Sequence, residues 1–210
     1  MTLHSLLRAF FTATLIVCLM TPQAYAQDVK VIIDEIEIDD VKSVGPGGGR
    51  SRNNILKEDW KEIEVEFTVE SDGDSDLLEE LSFQFFIAAL DALNNDEEVT
   101  LIGESNFINV PVGGDQLVAM YLSPTALLRY GGEKMGASFF KKGGIKDFNI
   151  HVKALVRGRE VGSKDFIISD FDENWYRQGK QVRDALVEAK DSPWWTANAL
   201  LYNQYKPLNR

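Results

Sequence analysis

Two stretches of the chain alternate apolar and polar residues with a period of two, which no helix face can use. In the first, Phe148, Ile150, Val152, Ala154 and Val156 alternate with Asn149, His151, Lys153 and Arg157. Arg157-Gly158-Arg159-Glu160 then supplies a tight turn, and Val161 to Ile168 runs back, giving a hairpin from Lys146 to Ser169. In the second, Trp60 to Glu70, Ile63, Val65, Phe67 and Val69 alternate with Glu62, Glu64, Glu66 and Thr68. Successive strand side chains point to opposite faces, so each stretch has one face in a core and one in water. This reading places the hairpin as adjacent strands near the middle of one sheet and His151 as a solvent-facing strand histidine.

The rest of the chain repeats the theme. Val29 to Val41 carries Val29, Val31 and Ile33 on one parity but Ile36 and Ile38 on the other, the change of phase that a β-bulge produces. Leu81 to Leu90 is apolar on both parities, as a central strand covered on both sides would be. Val99 to Val110 and Gln116 to Leu122 read as further strands, separated by Asn94-Asn95-Asp96 and Gly113-Gly114 turns. Ser123-Pro124 has the form of an N-cap followed by proline, with Leu127, Leu128 and Tyr130 in a short helix stopped by Gly131-Gly132. About seven strands with short connections predict a mainly β fold, an antiparallel two-sheet immunoglobulin-like sandwich with a short inserted helix.

The tail differs. Trp175, Val182, Leu186 and Ala189 share one helical face, and Ser192-Pro193 repeats the cap signature ahead of Trp194, Trp195, Tyr202 and Tyr205. The expectation is a sandwich domain over residues 27–172 and a partly helical, aromatic C-terminal extension over 173–210 that packs on the domain or on a partner. Trp175, Trp194, Trp195, Tyr202 and Tyr205 are the candidate interaction residues, since large aromatic surface favours burial or an interface.

The first 26 residues read as a signal peptide. Arg8 gives a positive start, Ala9 to Met20 an apolar run too short to span a bilayer comfortably, and Ala24-Tyr25-Ala26 a cleavage site. Export to the periplasm, cell surface or exterior is expected, with no stable membrane span after cleavage. Loss of Arg8 takes the net charge from −11 to −12, which disfavours nucleic acid and anionic membranes as partners. The single cysteine, Cys18, lies inside the signal, so the mature chain has no disulfide, thiolate nucleophile or cysteine metal site.

Motifs for chemistry are sparse. Gly45-Pro46-Gly47-Gly48-Gly49 lacks the Gly-Lys-Ser/Thr ending of a phosphate loop. The carboxylates of Glu62, Glu64 and Glu66 read as a solvated face that also resists edge aggregation. Asp72, Asp74 and Asp76 have the alternate spacing with which short loops offer oxygen ligands to Ca²⁺, although Leu77 and Phe83 stand where a calcium loop needs Gly and Glu. Nucleophile–base pairs, metal sets and phosphate loops are all missing, so the chain reads as no enzyme and needs no cofactor. A non-enzymatic exported protein, acting on a protein partner in the envelope or by self-association, is the leading expectation. A secreted carbohydrate-binding module, with Trp194 and Trp195 stacking on sugar and calcium at the three aspartates, is the alternative.

With the export signal, the cysteine-free sandwich and the endings Asn174-Trp175-Tyr176-Arg177 and Ser192-Pro193-Trp194-Trp195, the chain resembles a small family of secreted immunoglobulin-like proteins encoded beside type IV pilus-type assembly genes. The resemblance implies a non-enzymatic role in a surface or pilus-associated assembly. The N-terminus departs from a prepilin: it lacks the Gly cleavage point and the following Glu of a pilin stem.

Overall fold

The structure is a computed structural model that describes residues 28–42, 59–95, 97–130, 149–167 and 174–192. The signal segment, the glycine-rich stretch at 45–49 and the aromatic residues Trp194, Trp195, Tyr202 and Tyr205 lie outside the described residues.

In chain order the strands are β1 (Val29–Lys42), β2 (Asp59–Ser71), β3 (Leu77–Asp91), β4 (Glu97–Pro111) and β5 (Gln116–Leu122). Helix α1 (Pro124–Tyr130) follows, then β6 (Ile150–Val156), β7 (Arg159–Phe166), β8 (Lys180–Val182) and β9 (Leu186–Glu188). They form a β-sandwich: one sheet in the order β1-β2-β5-β9 faces another in the order β7-β6-β3-β4-β8. The core is built from the inward parities read in the sequence. Ile63, Val65, Phe67 and Val69 of β2 meet Phe83, Phe85 and Ile87 of β3 and Ile150, Val152 and Ala154 of β6, all buried. Phe67 and Phe83 pack with centroids 4.7 Å apart, and Phe107 meets Phe83 edge-on at 6.1 Å. Each such large side chain contributes about 1.5–3 kcal/mol by leaving water.

The phase change in β1 is a bulge: pairing with β2 shifts between Ile33 and Glu35, so Ile33 and Ile36 both reach the core. Ser123 Oγ accepts the Ala126 N–H at 3.2 Å and caps α1. Arg129 of α1 then grips the fully buried Asp91 with two bonds, Nη2 to Oδ2 at 3.0 Å and Nε to Oδ1 at 3.2 Å. Asn94 and the Leu93 N–H also donate to Asp91. The guanidinium, against the opposing effect of burial, holds this carboxyl down at about 2.

Three expectations need correction. The stretch 175–190 is no helix: it is a 3₁₀ turn (Trp175–Arg177), the two short strands β8 and β9, and a second 3₁₀ turn (Ala189–Asp191). Gly179 and Asp184 both take left-handed φ, 75° and 71°, and interrupt any helical path. Pairing to a sheet edge on each side of the break, β8 with β4 and β9 with β5, satisfies the backbone instead. Second, β8 runs parallel to β4, so the sandwich is not wholly antiparallel. Third, the 146–169 hairpin does not lie wholly mid-sheet: β6 pairs with β3, but β7 is an edge.

Both open sides of the sandwich are drawn shut. On one side β7 approaches β1 so closely that a Cβ on Gly162 would stand 2.0 Å from the Val31 carbonyl oxygen, and Lys164 donates to the Asp34 carbonyl at the bulge. On the other side Leu186 of β9 seats on Gly103 of β4, where a Cβ would stand 2.9 Å from its Cβ. Residues 183–185 carry the chain from β8 in one sheet to β9 in the other.

Candidate functional site

The outer face of β6 holds the feature least expected from the sequence. Asn149, His151 and Lys153, the polar parity of the hairpin, are buried rather than solvated. Tyr176 covers His151 and Lys153: its ring stacks on the imidazole, with centroids 3.9 Å apart and planes 8° from parallel, and the Lys153 ammonium lies 5.0 Å from its centroid. Phe86 of β3 flanks both rings at 5.9 and 5.1 Å, and Trp175 meets Tyr176 edge-on at 6.0 Å. The solvent-facing reading of His151 therefore fails, because the chain beyond the hairpin folds back over it.

Charge is matched beneath this lid. His151 Nδ1 faces Asp165 Oδ1 at 2.7 Å, and Lys153 Nζ bonds Glu160 and lies 5.0 Å from the Tyr176 ring. Burial pushes the His151 imidazole below its ordinary value, against the pull of Asp165. Burial would lower Lys153 too, but its bonds to Glu160 and Tyr176 raise it, and the same ammonium lowers Glu160. The imidazole Nε2 is buried with no hydrogen-bond partner among the described residues. A His–Asp pair activates a nucleophile through that second nitrogen. Here the nitrogen meets no hydroxyl or thiol among the described residues, and the imidazole face carries the Tyr176 ring.

Beside the lid, a cleft of about 590 Å³ opens on the same face between β3, β4 and the tail. Phe86, Ile102, Leu186 and Val187 form its apolar part, with Glu104, Arg183 and Glu188 at its polar part. Glu188 bonds Lys190 at 2.8 Å, while burial, with Asp191 and Glu104 adding to it, raises its carboxyl.

The outer face of the other sheet is acidic. Register sets Glu35 opposite Glu66, Glu37 opposite Glu64 and Asp39 opposite Glu62, three like-charge pairs in a row. Burial raises the Glu64 carboxyl, and Glu62, Glu37, Asp39 and Glu66 add to that. Toward β5 the face turns apolar: Ala119 and Tyr121 are buried with Ala189, and Val41, Trp60 and Val187 pack around them. The Tyr121 hydroxyl donates to Glu62 at the boundary.

Of the residues singled out in the sequence, Trp175 is buried against Tyr176, while Trp194, Trp195, Tyr202 and Tyr205 lie outside the described residues. Asp72, Asp74 and Asp76 sit in the exposed β2–β3 turn. Asp72 Oδ1 accepts the Asp28 N–H at 2.9 Å, which fastens this turn to the start of β1. Among the described residues no three His, Cys, Asp or Glu side chains converge as a metal-ligand set. Tyr176, Asp165 and Glu160 were missed. The aromatic pair following the hairpin was the one available signal.

The two packed sheets and the single short helix among the described residues define a mainly β protein, a sandwich without barrel closure. Its family model matches residues 22–208, and the chain belongs to that family, which is built around a pilus-associated extracellular protein. A crystal structure of a protein from Akkermansia muciniphila shares the fold, with a TM-score of 0.68 at 20% identity over 88% of this chain and 96% of that one. No curated protein matches the chain in sequence. Among the described residues no helix is long and apolar enough to cross a membrane.

Proposed function

We propose that this protein is an exported, non-enzymatic component of a type IV pilus-like or other cell-surface assembly, acting through protein–protein contacts. The family match across residues 22–208 carries this reading. The signal-like first 26 residues agree with it, as does a His–Asp pair committed to holding Tyr176 rather than to chemistry. Trp194, Trp195, Tyr202 and Tyr205, which continue the latched segment beyond Ser192, are the proposed contact residues.

Cross-linking in intact cells, followed by affinity capture and mass spectrometry of the cell envelope, tests this. Recovery of pilus-type assembly components, lost when residues 193–210 are removed, is the expected result. Recovery of no envelope protein, together with a specific glycan-array signal or a calcium-dependent rise in melting temperature, would replace it with the carbohydrate-binding alternative.

A further inference from the structure

We propose that residues 174–192 form a proton-sensitive latch, in which protonation of the His151 imidazole beneath Tyr176 releases β8 and β9 from the edges of β4 and β5. The inference goes beyond the assembly role and stands on geometry independent of it. Among the described residues the tail begins with the Trp175–Arg177 turn, which Tyr176 fixes by lying flat on His151. From there the chain runs four residues from Tyr176 to the start of β8 at Lys180, and then crosses to β9. Both strands are three residues long, too short to hold alone.

The surroundings of the imidazole favour its neutral form. Nδ1 is engaged by Asp165, but Nε2 is buried without a partner among the described residues, so a proton placed there creates a desolvated N–H. The ring that covers it already faces two cations, Lys153 Nζ at 5.0 Å and the Arg177 guanidinium at 5.4 Å. Facing His151 are Lys153 from its own strand, Asp165 and Glu160 from β7, Phe86 from β3 and Tyr176 from the tail. Asp165 and Glu160 attract the proton; burial and Lys153 oppose it and prevail.

The closed latch holds His151 below its ordinary value, so the open form takes up the proton first. Closure is therefore complete above about pH 6.5 and weakens as the pH falls toward the closed-state value, below which the loss levels off. Glu188 works the other way: its raised carboxyl takes up a proton more readily in the closed tail, which tightens as the pH falls. When the latch opens, the backbone of β4 at Val99–Leu101 and of β5 at Met120–Leu122 becomes available to another strand.

The test is hydrogen–deuterium exchange on the full mature chain at about pH 7.5 and about pH 5.5, corrected for the intrinsic rate, in a Glu188→Gln background that removes the opposing group. Protection across residues 180–188 should fall by about tenfold per pH unit of difference between the open and closed imidazole values, with β2 and β3 unchanged. His151→Gln should abolish that pH dependence, and Asp165→Asn should move its midpoint downward. Should His151→Gln not fold, the imidazole titration of the parent chain, read by NMR, decides the matter. A midpoint at or above about 6.5 overturns the proposal, as does unchanged protection across the two pH values.

Discussion

Gly162 offers the sharpest test of how the sandwich is closed. It is an extended-strand glycine, required for space rather than for a left-handed φ, because its missing side chain lets β7 lie against the backbone of β1. In Gly162→Ala the new Cβ would stand 2.0 Å from the Val31 carbonyl oxygen. Carbon–oxygen contacts settle at about 3.3 Å or more, so the two strand edges must part by over about 1 Å. Nothing flexible lies in the way to absorb this: the obstacle is main chain, and the displacement also strains the Lys164 contact to Asp34. Overpacking of this kind belongs at the upper part of the ~1–3 kcal/mol range, partly offset by ~0.5 kcal/mol from the stiffer unfolded chain. A net loss of ~2–2.5 kcal/mol is expected, or a fall of ~4–10 °C in Tm. Gly103→Ala is the comparison, since its Cβ would stand 2.9 Å from Leu186 Cβ and 3.1 Å from Met120 Cε, a milder overlap than the one at Gly162; a smaller loss of ~1 kcal/mol is expected. Urea unfolding with unchanged m-value measures both. If Gly162→Ala matches the parent, or if Gly103→Ala is the more damaging change, the edge-closure argument is wrong.

Further outcomes follow from the charged groups. Glu64→Gln should raise stability at neutral pH by about 0.5–1 kcal/mol, since it removes one of the opposed carboxylates on a cross-strand face. In the parent, whose Glu64 carboxyl is raised, that gain should appear on its own as the pH falls through the Glu64 titration, read as a rise in Tm. Arg129→Ala should lower Tm clearly at neutral pH by leaving Asp91 buried without its guanidinium. The Asp91 contribution should persist on acidification and be lost only as the pH falls below the ordinary aspartate value toward about 2. Tyr176→Ala should cost about 2–4 kcal/mol and bring pH-independent exchange across residues 180–188, measured by calorimetry and hydrogen exchange.

Period-two patterning carried most of the sandwich, because strict alternation in β2 and the phase slip in β1 have a single physical meaning at the level of a half-buried strand. The capped helix α1 was legible for a similar local reason, a serine whose hydroxyl meets the third N–H beyond it. What alternation cannot say is what covers the polar face. The burial of His151 depends on a chain reversal that brings Tyr176 back from 25 residues further on. Its partner was hidden by a bulge as well. Between Ala154 and Leu155 the pairing with β7 slips by one residue, so His151 faces Asp165; an unbroken hairpin around Arg157-Gly158 would have set it against Lys164. The tail misled for a different reason: Val182 and Leu186 sit four apart, a spacing that suits one helix face and equally suits two plugs on either side of a crossing.

That crossing bears on the order in which the molecule can come into being. Bonds between Lys164 and Asp34 join positions 130 apart, and the strands that complete both sheets are supplied by residues 180–188. A chain emerging amino end first therefore holds β4 and β5 with unfinished edges until nearly its whole described length has been delivered. Completing both sheets from one late segment makes residues 180–188 the step that closes the fold.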